Sequence, residues 1–193
     1  MRRFLRRLIS RFYAERDRLR RRRLGAAGDA TRFVALRLSV DAAPVTAQLR
    51  VPGATIGFAD PGDLLRDPAA YWMEGDGASA LVRGGLRCLV VRAEDTVIYR
   101  AVVTSDPARV AAVLHAYPAT LPAALVSGVV THPEQRGRGI HAAAMGWLAR
   151  VARQEGATHL VAWVALWNRS SLRAFERAGF RPLTPQRTSP LPA

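Results

Sequence analysis

The run Val129-Val130-Thr131-His132-Pro133-Glu134-Gln135-Arg136-Gly137-Arg138-Gly139-Ile140 decides how this chain folds. It opens as the end of an apolar, β-branched stretch, Ala123–Thr131, and breaks at Pro133. It then passes through two glycines and starts a helical periodicity at Ile140. A strand that turns into a helix over so few residues leaves the first helical N–H groups without intrahelical partners. Those donors and the helix dipole attract an anion. Gly137 and Gly139 let a ligand approach the backbone, because no Cβ stands in the way. Arg136 and Arg138 bring positive charge suited to phosphate oxygens. The same residues also suit a plain tight strand-to-helix connection.

Working outward, the spacing predicts a helix from Ile140 to Gln154, with Ala144, Trp147, Leu148 and Val151 on one face and Gly156 as its stop. Leu160–Trp167 is a continuous apolar run, expected of a strand buried on both faces, with His159 partly exposed where that strand begins. Asn168–Ala178 reads as a helix ended by Gly179, with Asn168 suited to cap it. Upstream, Leu86–Arg92 and Thr96–Val103 form a hairpin across Ala93-Glu94-Asp95, and Ala108–His115 reads as a helix. Phe33–Val40 and Val45–Val51 read as strands, Pro61–Arg66 as a short helix and Asp67–Ser79 as a loop. From residue 86 the order strand, strand, helix, strand, helix, strand, helix predicts an α/β fold. Its sheet is mixed and centrally parallel, with helices on both faces and parallel pairing across the helices.

The 193 residues carry a net charge of +14, unevenly placed. Residues 1–24 hold eleven Arg against Glu15 and Asp17, and the remaining chain holds eighteen Arg against thirteen acids. Phe4, Leu5, Leu8, Ile9, Phe12 and Tyr13 recur at helical spacing among the arginines, so residues 1–24 read as a basic amphipathic helical arm. Such a helix suits an anionic membrane surface or, less readily, nucleic acid. Packing on the protein body is the plainer alternative. Arg interrupts the arm throughout, which excludes a secretory signal. All 29 basic residues are Arg, which excludes a lysine Schiff base and a Walker-type lysine. The single cysteine, Cys88, excludes an internal disulfide framework, and the four histidines show no ligand spacing, so no metal is expected. The longest stretch without Asp, Glu or Arg, residues 110–133, is broken by three prolines and predicts no transmembrane helix.

The strand, the Arg136-Gly137-Arg138-Gly139-Ile140 loop, the helix, the buried strand and the block Asn168-Arg169-Ser170-Ser171-Leu172-Arg173-Ala174-Phe175-Glu176-Arg177-Ala178-Gly179-Phe180 together resemble the GNAT family of N-acetyltransferases. The resemblance covers about residues 86–182. It implies a GNAT-like domain over 25–182, whose CoA-binding half is about 86–182, followed by a Pro-rich tail at 183–193. It implies acetyl-CoA, or another acyl-CoA, as co-substrate. Backbone groups of Val129, Val130 and Thr131 would hold the pantetheine arm. Arg136, Gly137, Arg138, Gly139, Ile140, His141 and Ala142 would hold the pyrophosphate, and Asn168, Ser171 and Phe175 would line the CoA arm. The implied chemistry is direct attack of a neutral amine on the thioester, with the Val130 backbone N–H as the candidate oxyanion donor.

Three departures from the family pattern stand out. His141 occupies a position usually Gly or Ala. Phe175 occupies the usual position of a Tyr acid and cannot donate a proton. Neither Leu160–Trp167 nor Ala123–Thr131 carries a Glu base. Candidate bases are therefore Glu74, Asp76, His115 and His132, and Tyr99 and Tyr117 are candidate acids; for each, a solvated or packed side chain is the plainer alternative. Cys88 reads as core. Trp163 and Trp167 read as packing residues, or as an aromatic wall for an apolar acyl group or substrate. Three functional readings stand: an acyl-CoA-dependent N-acyltransferase acting on a small-molecule or protein amine, a non-catalytic CoA-binding protein on the same fold, and an adaptor docked by its Arg-rich arm. A cytoplasmic location, with peripheral membrane association through the arm, and a homodimer are compatible with each.

Overall fold

The structure is a computed structural model that describes residues 33–43, 49–114 and 122–183. Its strands are β1 (Phe33–Ser39), β2 (Ala54–Phe58), β3 (Arg87–Ala93), β4 (Thr96–Thr104), β5 (Ala123–Thr131), β6 (His159–Ala165) and β7 (Arg181–Pro182). Its helices are α1 (Pro61–Arg66), α2 (Gly77–Arg83), α3 (Pro107–Leu114), α4 (Ile140–Gln154) and α5 (Arg169–Arg177). The amphipathic arm at 1–24, the second predicted strand up to residue 48, His115, Tyr117 and the tail beyond Leu183 lie outside the described residues.

The strands form one mixed sheet in the order β2-β3-β4-β5-β6-β1-β7. The parallel pair β5–β6 sits near its centre, and the other pairs are antiparallel. Parallel pairing was expected across each helix, yet β4 and β5 pair antiparallel across α3. Geometry explains the difference. A parallel return must carry the chain back along the strand, roughly 30 Å for nine residues, and eight helical residues rise only about 12 Å. The fifteen-residue α4 is long enough for that return between β5 and β6.

Side chains alternate between the two faces, as strand geometry requires. Tyr99, Ala101 and Val103 of β4 and Leu160, Ala162 and Val164 of β6 pack with Ile140, Ala144, Leu148 and Phe175 in the main core, beneath α4 and α5. The opposite face carries two separate clusters. One gathers α1, α2 and the Tyr71–Met73 segment over Cys88, Val90 and Val97. The other sets α3 over Ala35, Ala123 and Val161. The buried face of α4 contains Ala144 and Leu148 as expected, whereas Trp147 and Val151 are half-buried. Trp147 meets Phe58 edge-on at 5.4 Å.

Candidate acyl-carrier cleft

The site begins where the parallel pair comes apart. β5 and β6 are in register from Ala123↔His159 to Val126↔Ala162 and no further, although β5 runs on to Thr131 and β6 to Ala165. On its other side β5 stays attached to β4, but the ladder slips. Arg100 pairs with Val130 and Val102 with Ser127, so Ala101 stands opposite both Gly128 and Val129. Gly128 has φ +56, a left-handed conformation that suits glycine. Such a bulge bends its strand and sharpens the local twist. Beyond Val126 β5 makes no ladder pair with β6, so Val129 and Val130 lie outside that ladder.

Arg100 holds the bulge in place. Its Nη1 donates to the Gly128 carbonyl at 2.9 Å and its Nη2 to the Trp72 carbonyl at 3.4 Å. One side chain thus ties β5 to the loop that carries Glu74 and Asp76. Both carboxylates are exposed.

The loop follows at the end of β5. The His132 N–H donates to the Ile98 carbonyl at 2.9 Å, fixing its start, and Pro133–Gln135 form one 3-10 turn. Gly137 (φ +79) and Gly139 (φ +72) both lie in the left-handed region, and Gly139 occupies the N-cap of α4. A Cβ at either glycine would meet nothing within 4 Å, so the space above the loop is open. No side chain caps α4, and the donors of Ile140, His141 and Ala142 therefore face that space. Arg136 and Arg138 flank it, both exposed. Three buried side-chain atoms without a hydrogen-bond partner, His132 Nδ1, Gln135 Oε1 and His141 Nε2, also belong to this stretch. Uncapped donors beside open space are an arrangement that could hold an anion.

Across the cleft, Asn168 caps α5. Its Oδ1 accepts from the Ser170 hydroxyl at 3.0 Å and the Ser171 N–H at 3.4 Å, so the capping role expected of it is real. Phe175 is buried, meeting Phe180 edge-on at 4.9 Å and the His141 ring at 4.6 Å. Tyr99 is fully buried, and its hydroxyl lies 3.0 Å from His141 Nδ1. Burial raises the Tyr99 phenol well above its ordinary value and lowers His141 to about 4. A buried phenol that holds its proton so firmly is a poor acid, so the expectation for Tyr99 gives way to a structural role. Cys88 is core, and burial pushes its thiol up to about 11. Trp163 is half-buried and stacks on Phe33 at 5.8 Å and 16°. Leu166 and Trp167 lie beyond the end of β6, both exposed.

Val129, Val130 and Thr131 thus follow the last β5–β6 pair and lead into the 136–142 segment, and Asn168 caps α5 just beyond the end of β6. The Gly128 bulge, the Arg100 tie and the Tyr99–His141 bond were not read from the sequence. A glycine inside a β-rich run is a bulge signal, so the first was within reach.

Residues 64–180, more than half of the chain, match the sequence model described as the Acetyltransferase (GNAT) family. No curated protein matches. Among solved structures, a GCN5-related N-acetyltransferase from Sphaerobacter thermophilus aligns with TM-score 0.56 and 16% identity, over 78% of this chain and 48% of its own. A putative acetyltransferase of the GNAT family from Novosphingobium aromaticivorans aligns with TM-score 0.50 and 27% identity, over 78% of this chain and 60% of its own. An aminoglycoside N-acetyltransferase in complex with CoA aligns with TM-score 0.52 and 14% identity, over 72% of this chain and 100% of its own. The chain thus spans about half the length of the first of these and six-tenths of the second.

Proposed function

We propose, from the premise that this chain belongs to the acetyltransferase (GNAT) family, that it transfers an acetyl group from acetyl-CoA to an amine acceptor. The observation that carries this reading is the parting of β5 from β6 beside the uncapped start of α4. Acetyl-CoA, when bound, supplies the activated thioester. The chain's own residues bind and orient. The first-turn donors of α4 with Arg136 and Arg138 receive the pyrophosphate. The cleft-facing edge of Val129–Thr131 takes the acyl-carrying arm as an added strand would be taken, by main-chain hydrogen bonds. The Val130 N–H is proposed to stabilise charge developing on the carbonyl oxygen. The attacking amine must be neutral. Glu74 and Asp76, on the loop tied to Gly128 through Arg100, and His132 are the candidates for that task among the described residues. The acceptor is a small-molecule or protein amine. The Arg-rich residues 1–24 favour an anionic membrane surface as a docking partner, and the proposed location is cytoplasmic. No helix among the described residues is long and apolar enough to cross a membrane, and they hold no group of side chains suited to a metal ion.

Calorimetric titration with acetyl-CoA, free CoA and a longer-chain acyl-CoA tests the reading. Saturable binding with a preference for acetyl-CoA is expected, and absence of binding at high ligand concentration overturns it. Arg136→Ala is expected to weaken acetyl-CoA about tenfold, the scale of one charge-assisted phosphate contact. Phe175, which has no proton to give, favours one second reading: a domain that binds CoA without turnover. Binding of acetyl-CoA with no acyl transfer to any of a panel of amines would select it.

A further inference from the structure

We propose that the turn from Ala165 to Asn168 and the arginine face of α5 form a docking surface for an anionic lipid bilayer, the turn entering the headgroup layer and the arginines meeting its phosphates. The surface belongs to the folded domain, is separate from residues 1–24 and does not depend on the acetyl-CoA reading. The Asn168 N–H donates to the Ala165 carbonyl at 2.8 Å, which closes a tight turn with Leu166 and Trp167 as its two central residues. Both are exposed, at 46% and 41%. Turn tips ordinarily carry Gly, Pro, Asn, Asp or Ser, whose backbone preferences and short side chains suit the place. Leu65 is the only other large exposed hydrophobic side chain among the described residues. A single exposed Leu is ordinary, but a Leu–Trp pair on one tip, next to concentrated positive charge, is the pattern of an interfacial contact.

The positive charge follows at once. Arg169 is the first residue of α5, and Arg169, Arg173 and Arg177 recur at every fourth position, so they share roughly 80° of the helix circumference. All three are exposed, and none forms an ion pair among the described residues. Phe175 and Ala178 bury the opposite face. Glu176 is the one acid in α5, and from Gly156 to Ala193 the sequence sets five Arg against it alone. The apolar residues favour a bilayer over nucleic acid. Single-stranded nucleic acid is held by stacking bases on flat aromatic faces, and Leu166 has none. Arg on headgroup phosphate, with Trp at the headgroup level, is the division of labour at a lipid interface. The chain before β1 agrees with that choice. Phe33 pairs with Ala165, where the turn begins, so residues 1–32 join the sheet beside it. That segment carries Leu5, Leu8 and Ile9 among its arginines.

Flotation of the full chain with vesicles tests this. The chain is expected to float with vesicles of phosphatidylcholine containing about 30% phosphatidylserine, and far less with phosphatidylcholine alone. Arg169→Gln, Arg173→Gln and Arg177→Gln together are expected to weaken partitioning about 100-fold, at about fivefold per charge. Trp167→Ala is expected to weaken it about tenfold. Phosphatidylcholine brominated on its acyl chains is expected to quench the tryptophan fluorescence of the parent in the same vesicles. Trp167→Phe is expected to lose most of that quenching, which charge attraction alone would not produce. The substituted side chains are exposed, so circular dichroism and melting temperature are expected to stay as in the parent. Should the triple variant unfold, quenching in the parent and in Trp167→Phe decides. Equal flotation of parent and triple variant would leave residues 1–24 as the whole contact and overturn the proposal. So would vesicle binding in which Trp167→Phe is quenched as strongly as the parent. Absence of flotation would overturn it too, and salt-sensitive binding of a mixed-sequence RNA oligonucleotide through the same arginines would then assign the surface to nucleic acid.

Discussion

Gly139→Glu is expected to weaken acetyl-CoA binding at least about 100-fold, measured by calorimetry. Two effects add. Gly139 sits at φ +72, where an L-residue costs about 1–2 kcal/mol. The larger effect is electrostatic. A carboxylate at the N-cap of α4 is drawn to the same uncapped donors that are proposed to receive the pyrophosphate. Like charges about 4 Å apart near a protein surface repel by about 4 kcal/mol at an effective dielectric of about 20. Half of that already exceeds a tenfold loss. Gly139→Ala separates the two effects. Its Cβ meets nothing within 4 Å, so it brings the strain without the charge and is expected to weaken binding less than about tenfold. Both variants should keep the fold, because the added atoms enter open space. If Gly139→Glu bound acetyl-CoA as tightly as the parent, the loop would not be the phosphate site.

Acid should destabilise the protein through His141. Its folded pKa is lowered from 6.5 to about 4 by burial. Below pH 6.5 the unfolded imidazole takes up a proton that the folded one refuses. Stability from this group is therefore full above pH 6.5, falls between pH 6.5 and 4, and levels off below that. A shift of this size corresponds to roughly 3 kcal/mol over the whole window. Urea titrations at pH 7, 5.5 and 4.5 read it directly. His141→Gln, which cannot titrate but still accepts from Tyr99, should flatten that part of the slope. Identical pH dependence in parent and variant would show that His141 is not the group responsible.

Much of the C-terminal half was legible because its boundaries are chemically punctuated. β5 and α4 fall at the expected residues, fixed by Pro133, by Gly139 in its left-handed cap and by Gly156 after the helix. α5 starts after Asn168 because that side chain does cap it. The N-terminal half hid two elements. β2, Ala54–Phe58, is short and half-buried, with Gly57 inside it, so it lacks the alternation that marks a strand. α2 starts at Gly77, inside the stretch Asp67–Ser79 that reads as a loop, and no side chain caps it. The strand-to-helix loop could be read because its proline and glycines act locally. The Tyr99–His141 bond could not, since it joins residues 42 apart whose meeting depends on sheet register and helix placement.

The register of β1 has a consequence for the segment before it. Phe33 pairs with Ala165, at the end of β6 where the cleft opens, and Ser39 with His159 at the closed end. The chain therefore joins the sheet at the mouth of the cleft. Eight residues, 25–32, connect the Arg-rich segment to Phe33, and eight residues reach at most about 29 Å when fully extended. Any body that grips residues 1–24 is leashed at that radius from the open ends of β5 and β6. An amine carried on such a body meets the open ends of those strands at an effective concentration set by that reach, whatever its bulk abundance. Lengthening residues 25–32 would dilute a tethered acceptor and leave a free one unaffected.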